Sequence, residues 1–563
     1  MRYSKEKILK ILEQIEKEPA YKFESETLDF KEWISNPKKL YRTLVEYAVC
    51  FANQKGGTIV LGVKDRIKGR ERAITGCGGY NIAEIKSRIY EATDPKLLVD
   101  VEELYIEDLD TTLLLIHIPQ GITLHTTTDG MAKIRIGKAC KPLTGSMRVQ
   151  KMVESGSLDV SAEVKENLKV DALDRVEIER LRNMVRANKP DSYLLKLKEK
   201  EFLRQSGILK NGHPTFAGIL MVGKRDVLQE LIPSHEVVYL HMKSDIDYEM
   251  RKDYREPIVY ILEDIERIIE SFNKIITVKS GLFHYEIKEF PTEVYREAIM
   301  NALLHRDYTR EGSVFIKHYK DRMEISNPGG FIAGITPQNI LRQDSKPRNR
   351  HLAEILRKTG LIEKVGVGVK RMFYVQLSSG KEPPLYETDG HSVRVILKNG
   401  SADGAFVKFI KEREREGKEI DLDGILILSF LRRKREITLN EASEVLQLDM
   451  GRAREILNQM CRKGLLEKSG VKKTLVYRLS GEVYKKLGES ITYIREKGID
   501  EMRYKELVME YVKKYGVVSN RMVRELLGVD IYKASRILHE LVIEGKLKKS
   551  GGKKDAEYRL HEY

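Results

Sequence analysis

Two groups of residues in this chain have the types and spacing that phosphate chemistry needs. The first lies in ESETLDFK and TIVLGVKD. Glu24 precedes a strand-like segment on which Asp29 and Lys31 share a face, because strand side chains alternate, and Asp65 ends a second strand just past the Gly56-Gly57 turn. If the two strands are neighbours, Glu24, Asp29 and Asp65 converge on one divalent ion, Mg2+ or Mn2+, as phosphodiester cleavage requires. The same residues equally fit solvated strand ends, with Lys31 neutralising Asp29. The second group lies in TEVYREAIMNALLHRDY, residues 292–308. Four residues apart on a helix, Glu297 and Asn301 occupy one face, which places Glu297 to orient a water and Asn301 to reach Mg2+ on bound phosphates. Downstream, ISNPGG (325–330) and KVGVGVKRM (364–372) supply Gly329, Gly330, Gly366 and Gly368, whose bare backbones allow a nucleotide to come close. Taken singly, each also has a plain reading: a common helical spacing and an ordinary helix start.

The elements that must position these residues follow from periodicity. Residues 1–18 place Ile8, Leu9, Leu12 and Ile15 on one helical face before Pro19. From 21 to 150 the pattern is α+β, with a helix over 40–51, a strand over 58–63, and Pro142 and Gly145 marking the end. The run TFAGILMVG (215–223) reads as a buried strand of a second α/β region that continues to about 398. KNGSADG (398–404) has the composition of a linker, so a domain boundary is expected near 400. Beyond it, a repeat with an offset of 81 residues sets Asp449, Ala453, Leu457, Gly464, Lys468 and Tyr477 against Asp530, Ala534, Leu538, Gly545, Lys549 and Tyr558. Each copy predicts a helix, a short helix, an Asp-capped helix, a glycine stop and a two-stranded hairpin, which is a winged helix-turn-helix.

The charge agrees with a polyanionic partner. Of 563 residues, 100 are Lys or Arg and 85 are Asp or Glu, a formal +15. Residues 401–563 hold 35 basic and 27 acidic residues, a formal +8, over half of the total. Arg452, Arg454 and Asn458 on the first predicted recognition helix, and Lys533, Arg536 and His539 on the second, stand where groove readers need them. Lys472, Lys473, Lys553 and Lys554 fall at the two wing tips, near phosphates. The alternatives are winged helices that dock proteins or join subunits, and a homo-oligomer is expected. No apolar stretch approaches the 18 or so residues of a membrane span, and the charged N-terminus lacks a signal-peptide core, so a cytoplasmic protein is expected. Cys50, Cys77, Cys140 and Cys461 show no CxxC spacing and are expected to be buried thiols.

ESETLDFKEW, AVCFANQKGGTIVLGVKD and AKIRIGKAC resemble the AlbA-type domain of the Schlafen family. That resemblance assigns the nuclease centre of the RNA-cutting members to Glu24, Asp29 and Asp65; Asp29 stands where Glu is usual, which shortens its reach by one methylene. Many prokaryotic relatives share the scaffold without established cleavage, which makes binding without cutting the alternative. Glu297, Asn301, ISNPGG and KVGVGVKRM, in this order, resemble the GHKL (Bergerat-type) ATPase fold, an α/β sandwich. By that resemblance ATP and Mg2+ are the cofactors, Glu297 is the general base and Asn301 the Mg2+ ligand. Gly366 and Gly368 form the lid near the phosphates, and Asn327 replaces the adenine-binding Asp. SKPRN (345–349) resembles the S-x-x-R-N segment of the same branch and offers Arg348 to the phosphates; a surface salt bridge is its plain reading. The layout resembles the prokaryotic RecG-like or transcriptional-regulator group and implies a multidomain α+β chain. Its parts are an N-terminal helix (1–20), an AlbA-like nucleic-acid domain (21–150), a connecting α/β segment (151–285), a GHKL-like core (286–400) and two winged helices (401–480 and 481–563). An ATP-responsive nucleic-acid-binding protein is the expected function, with a metal-dependent endoribonuclease as the alternative. No Gly-Lys pair is followed by Ser or Thr, so a P-loop helicase motor is not expected.

Overall fold

Strands that read as unbroken apolar runs need cover on both faces, and the N-terminal sheet has it. The computed structural model describes residues 2–280, 283–332, 334–344, 346–362, 366–400, 403–470, 475–488, 490–550 and 556–561. Helix α1 (Lys5–Gln14) is capped by Ser4 and buries Ile8 and Leu12, with Ile15 just past its end. Strand β1 (Leu28–Lys31), helix α2 (Pro37–Ala52), and strands β2 (Gly57–Leu61), β3 (Asp100–Ile106) and β4 (Thr111–Ile118) follow. The sheet order is β1-β2-β4-β3, with β1 and β2 parallel and Asp29 opposite Ile59. Ile59, Leu61, Leu114 and Ile116 pack with residues of α2, whereas Val60, Leu113 and Leu115 pack with α1.

A hairpin of β5 (Lys133–Ile136) and β6 (Ala139–Pro142) lies beside α2. Cys50 of α2 and Cys140 of β6 form a disulfide with their Cα atoms 5.9 Å apart. This corrects the expectation of four buried thiols: the partners are 90 residues apart, and no local spacing announces such a pair. Cys77 and Cys461 are free and half-buried.

The central region is built on six strands: β7 (Val237–Met242), β8 (Tyr248–Tyr254), β9 (Val314–His318), β10 (Arg322–Pro328), β11 (Leu385–Thr388) and β12 (Ser392–Lys398). Their order is β8-β7-β9-β10-β12-β11. Helix α3 (Thr292–His305) lies across β9, β10 and β12, and helix α4 (Gly368–Ser378) packs against α3. TFAGILMVG is a helix, Phe216–Val222, rather than a strand. Thr215 caps it by accepting from Gly218 N at 3.0 Å, and every one of its residues is buried. A segment apolar on all sides carries no periodicity that separates a buried helix from a buried strand.

Past residue 404 the chain forms α5 (Leu422–Arg433), α6 (Leu439–Leu446), α7 (Met450–Arg462) and a hairpin of β13 (Leu466–Ser469) and β14 (Val476–Leu479). The second copy comprises α8 (Ser490–Tyr515), β15 (Val518–Ser519), α9 (Asn520–Leu527), α10 (Ile531–Ile543), β16 (Leu547–Ser550) and β17 (Glu557–Leu560). The repeat shows in atomic detail. Asp449 caps α7 by accepting from Gly451 N and Arg452 N, and Asp530 caps α10 by accepting from Tyr532 N and Lys533 N. Gly464 and Gly545 follow these helices with φ of 69° and 68°, the left-handed conformation that glycine adopts without strain. One hydrophobic core runs from Leu173 to Leu487, so segment 398–404 joins two parts that share it, whereas the second copy has a core of its own around Val512, Ile537 and Leu541.

Candidate functional site

The central sheet and α3 open into a cleft of about 970 Å³, solvent at its mouth included. Its floor is Ile325, Val393 and Val395 on the strands, with Ala298 and Ala302 of α3 opposite. Small residues on the helix leave room there. Glu297 and Asn301 both line the cleft, as their spacing on α3 predicts, and Asn301 Nδ2 donates to Glu297 Oε1 at 2.9 Å. That bond leaves the amide oxygen of Asn301, the atom a magnesium ion would use, unspent. Asn327, at the end of β10, is buried and lines the same cleft, its Nδ2 donating to Pro328 O at 3.1 Å. Burial, with the Arg348 charge adding, lowers His305 to about 4, so that ring is uncharged at neutral pH.

The glycines divide into two kinds. Gly330, Gly366 and Gly368 line the cleft. A Cβ on Gly330 would stand 2.3 Å from Gly390 O, and one on Gly368 would stand 1.8 Å from Glu297 Oε1. Gly368, the first residue of α4, is therefore what allows the Glu297 carboxylate to sit against the start of that helix. Gly366 has φ of 100°, which favours glycine. Gly329 is not a cleft residue: it packs on Asp307, and its N–H donates to His391 O at 2.7 Å.

Arg348 is not a surface ion pair, and it is not among the residues that line the cleft. It is 2% exposed, and its guanidinium donates to His305 O, Val153 O and Gly330 O at 3.1, 2.9 and 2.8 Å. Three of the five N–H groups of this planar fork are spent on carbonyls; it fixes the strand end that carries Gly330. Among the described residues, the Lys side chains that line the cleft are Lys346, two residues earlier, and Lys370, at the start of α4. Sequence reasoning passed over both, although each lies inside a quoted motif, SKPRN and KVGVGVKRM.

In the N-terminal domain Asp29 is 1% exposed and is paired with Arg135 and with Lys31. Arg135 is fully buried and also donates to Ser25 O and Leu28 O. The plain reading, Lys31 neutralising Asp29, is what the structure shows, with Arg135 as a second cation that AKIRIGKAC contains and sequence reasoning did not single out. Glu24 lies 3.9 Å from Lys31 Nζ and accepts from Phe30 N at 3.3 Å. Burial, then the Asp29 charge, pushes its carboxyl up to about 7. Asp65 is half-exposed and its carbonyl accepts from Tyr21 N at 2.8 Å. Among the described residues no group of three or more His, Cys, Asp and Glu side chains is placed to hold a metal ion. The converging triad is thus corrected to a buried acid held by two cations, with Glu24 beside it.

On the C-terminal helices Arg452 and Arg454 are exposed on α7, with Asn458 half-buried; on α10 Arg536 and His539 are exposed and Lys533 lies 4.8 Å from the ring of Tyr504. Lys472, Lys473, Lys553 and Lys554 lie outside the described residues.

Comparison with known proteins bears on the first two regions. Residues 24–144 match the family model described as "Schlafen, AlbA_2". Residues 311–397 match the model described as "Putative ATP-dependent DNA helicase recG C-terminal". That stretch contains Asn327, Gly330, Gly366 and Gly368 but begins after Glu297 and Asn301. Residues 150–238 match the "Domain of unknown function (DUF8451)". No curated protein matches the chain. A solved structure, that of the DIP2311 protein from Corynebacterium diphtheriae, is 21% identical, with 95% of each chain covered and a TM-score of 0.49. Among the described residues no helix is long and apolar enough to cross a membrane.

Proposed function

We propose that this chain, a Schlafen-like AlbA-type protein with a RecG-C-terminal-like ATPase domain, binds ATP with Mg2+ in the central cleft and holds nucleic acid at its two ends. The observation that carries the reading is the convergence of Glu297, Asn301, Asn327, Gly330, Gly366 and Gly368 on one cleft from α3, β10 and the start of α4. The residues fit the cofactors: an apolar floor for a base, a carboxamide oxygen for Mg2+, and glycine backbone with Lys346 and Lys370 for phosphates. Bound Mg2+ would neutralise charge on the phosphates. Glu297 orients the attacking water and accepts its proton, and Asn301 fixes the Glu297 carboxylate through the 2.9 Å bond. Glu297→Ala is expected to abolish hydrolysis while leaving ATP affinity within a few-fold, because a base acts in the transition state. Hydrolysis by the variant at the wild-type rate would overturn the assignment.

The repeated helix–helix–helix–hairpin units are read as winged helices that bind duplex DNA, with α7 and α10 as the groove-facing helices. Transcriptional regulation and defence both suit such a protein. Replacing Arg452 and Arg454 together with Ala is expected to lower the log–log slope of DNA binding against salt by about two units if both touch phosphate. An unchanged slope would favour units that dock protein. The second reading, an endoribonuclease using Glu24, Asp29 and Asp65 with Mg2+ or Mn2+, rests on the match of residues 24–144 to the Schlafen family model. The residues do not fit a three-acid metal centre, since cations hold both oxygens of Asp29, so the AlbA-type domain is read as a surface that binds without cutting.

A further inference from the structure

The cleft is not closed off from the rest of the chain. Its outer wall is the segment between β10 and the helix Arg350–Lys358, which contributes Phe331, Ile332, Ile335, Ile340, Gln343 and Lys346. This segment has no regular secondary structure over its described residues. It is held in part by local bonds, such as Thr336 N to Asn339 Oδ1 at 2.8 Å and Asn339 Nδ2 to Gly334 O at 2.9 Å.

Its other anchors come from the first C-terminal unit. Leu341 N donates to Gln447 Oε1 at 2.9 Å, and Gln447 Nε2 donates to Pro337 O at 3.0 Å, so one amide holds two backbone groups of the wall. Arg342 Nε donates to Leu446 O at 2.7 Å, and Arg342 Nη2 pairs with Asp423 Oδ1 at 2.5 Å. Gln447 is the residue that ends α6 and opens the turn into α7. It sits there with φ of 53°, a left-handed conformation that strains a side chain such as Gln. Glycine would take that conformation without cost but could not reach the wall; the amide offsets the strain with its two bonds. Only Leu448 separates Gln447 from Asp449, the cap of α7, and Arg452 and Arg454 follow within two turns. From the other side of the cleft, α4 begins at Gly368 and packs on α5, the helix that carries Asp423.

From this geometry we infer that the wall segment 331–346 is the coupling element between the cleft and the first C-terminal unit, with Gln447 and Arg342 as positioning residues that carry a change in cleft occupancy to the α6–α7 turn. The inference rests on the ATP reading of the cleft and adds to it the route by which occupancy reaches a nucleic-acid-facing helix. A ligand that orders Ile335, Ile340 and Lys346 differently from the empty cleft moves Pro337, Leu341 and Arg342 with them. Three polar bonds, two to Gln447 and one to Leu446, then bias the turn that aims α7, and a fourth ties Arg342 to Asp423 of α5. By linkage, a ligand on α7 must bias the cleft by the same factor.

The test uses the full chain, the nonhydrolysable analogue AMP-PNP with Mg2+, and amide hydrogen exchange, with calorimetry reporting uptake of the analogue independently. In wild type the analogue is expected to slow exchange in 335–344 and in 446–454, each by about fivefold or more. Gln447→Gly relieves the left-handed strain, so the unit keeps its fold. In that variant the analogue is expected to bind within about threefold of wild type and to protect 335–344 as before, with the response of 446–454 lost. Arg342→Ala is expected to weaken that response in the same direction. Calorimetric uptake without any response at 446–454 in wild type would overturn the coupling and leave the ATP reading standing, as would a full response in both variants. No uptake by wild type would overturn the ATP reading and the coupling with it.

Discussion

Replacing Gly368 with Ala separates the chemistry of the cleft from its stability. The added Cβ would lie 1.8 Å from Glu297 Oε1 and 2.4 Å from its Cδ. Ordinary contact begins near 3.4 Å, so the carboxylate must retreat by about 1.5 Å. The atoms that clash belong to the far end of a flexible side chain, and the backbone at Gly368 is not in the left-handed region, so the fold accommodates the methyl. Alanine also replaces the most flexible residue at a helix start, which contributes up to about 0.5–1 kcal/mol of stability. A base displaced by about 1 Å loses on the order of a hundredfold in rate, or about 2.7 kcal/mol of barrier. The expected outcome is a melting temperature equal to or above wild type, ATP affinity changed only a few-fold, and steady-state hydrolysis reduced about a hundredfold. Coupled-enzyme ATPase assays and thermal denaturation on one preparation measure all of this. Wild-type hydrolysis by Gly368→Ala would refute the placement of Glu297 as the base against α4.

Arg348→Ala leaves three carbonyls without a donor, that of Val153 buried and those of His305 and Gly330 part-buried, and should lower stability by about 2–4 kcal/mol in chemical denaturation, with Lys unable to restore it because one ammonium cannot reproduce the fork. A phosphate ligand would instead cost affinity and spare stability. Glu24→Gln reports the raised carboxyl. The folded chain holds this proton more tightly than the unfolded one, so the stabilisation is full below the ordinary value of 4.5 and is lost as pH rises through about 7. Wild type should therefore lose on the order of 2 kcal/mol across that window relative to the Gln variant. Parallel stability curves would show that Glu24 ionises normally.

Glu297 and Asn301 were legible because a helix fixes what four residues of separation means, and Gly330, Gly366 and Gly368 because close backbone approach requires glycine. The setting of Arg348 was hidden for the opposite reason. Whether an arginine in a loop faces ligand or backbone depends on carbonyls contributed by residues 153, 305 and 330, and nothing local to SKPRN encodes that. The same limit hid the Cys50–Cys140 pair and Arg135, which meet their partners across 90 and 106 residues. In ESETLDFK the alternation correctly put Asp29 and Lys31 together but gave no sign that the face was interior, so an enclosed ion pair resembled an open metal site. The repeat at 81 residues was readable because caps and stops recur at fixed spacing, and both Asp caps and both glycine stops are found in the fold. The sharing of one core across segment 398–404 was not readable, since linker composition reports the backbone of the linker and not what packs on either side.

The central claim is that the cleft takes up ATP through Asn301-held Mg2+, and titration calorimetry tests it most directly. Wild type should bind one ATP per chain more tightly with Mg2+ than with EDTA, and Asn301→Ala should erase that difference while still binding the metal-free nucleotide. No uptake by wild type, or a metal dependence that survives in Asn301→Ala, would contradict it.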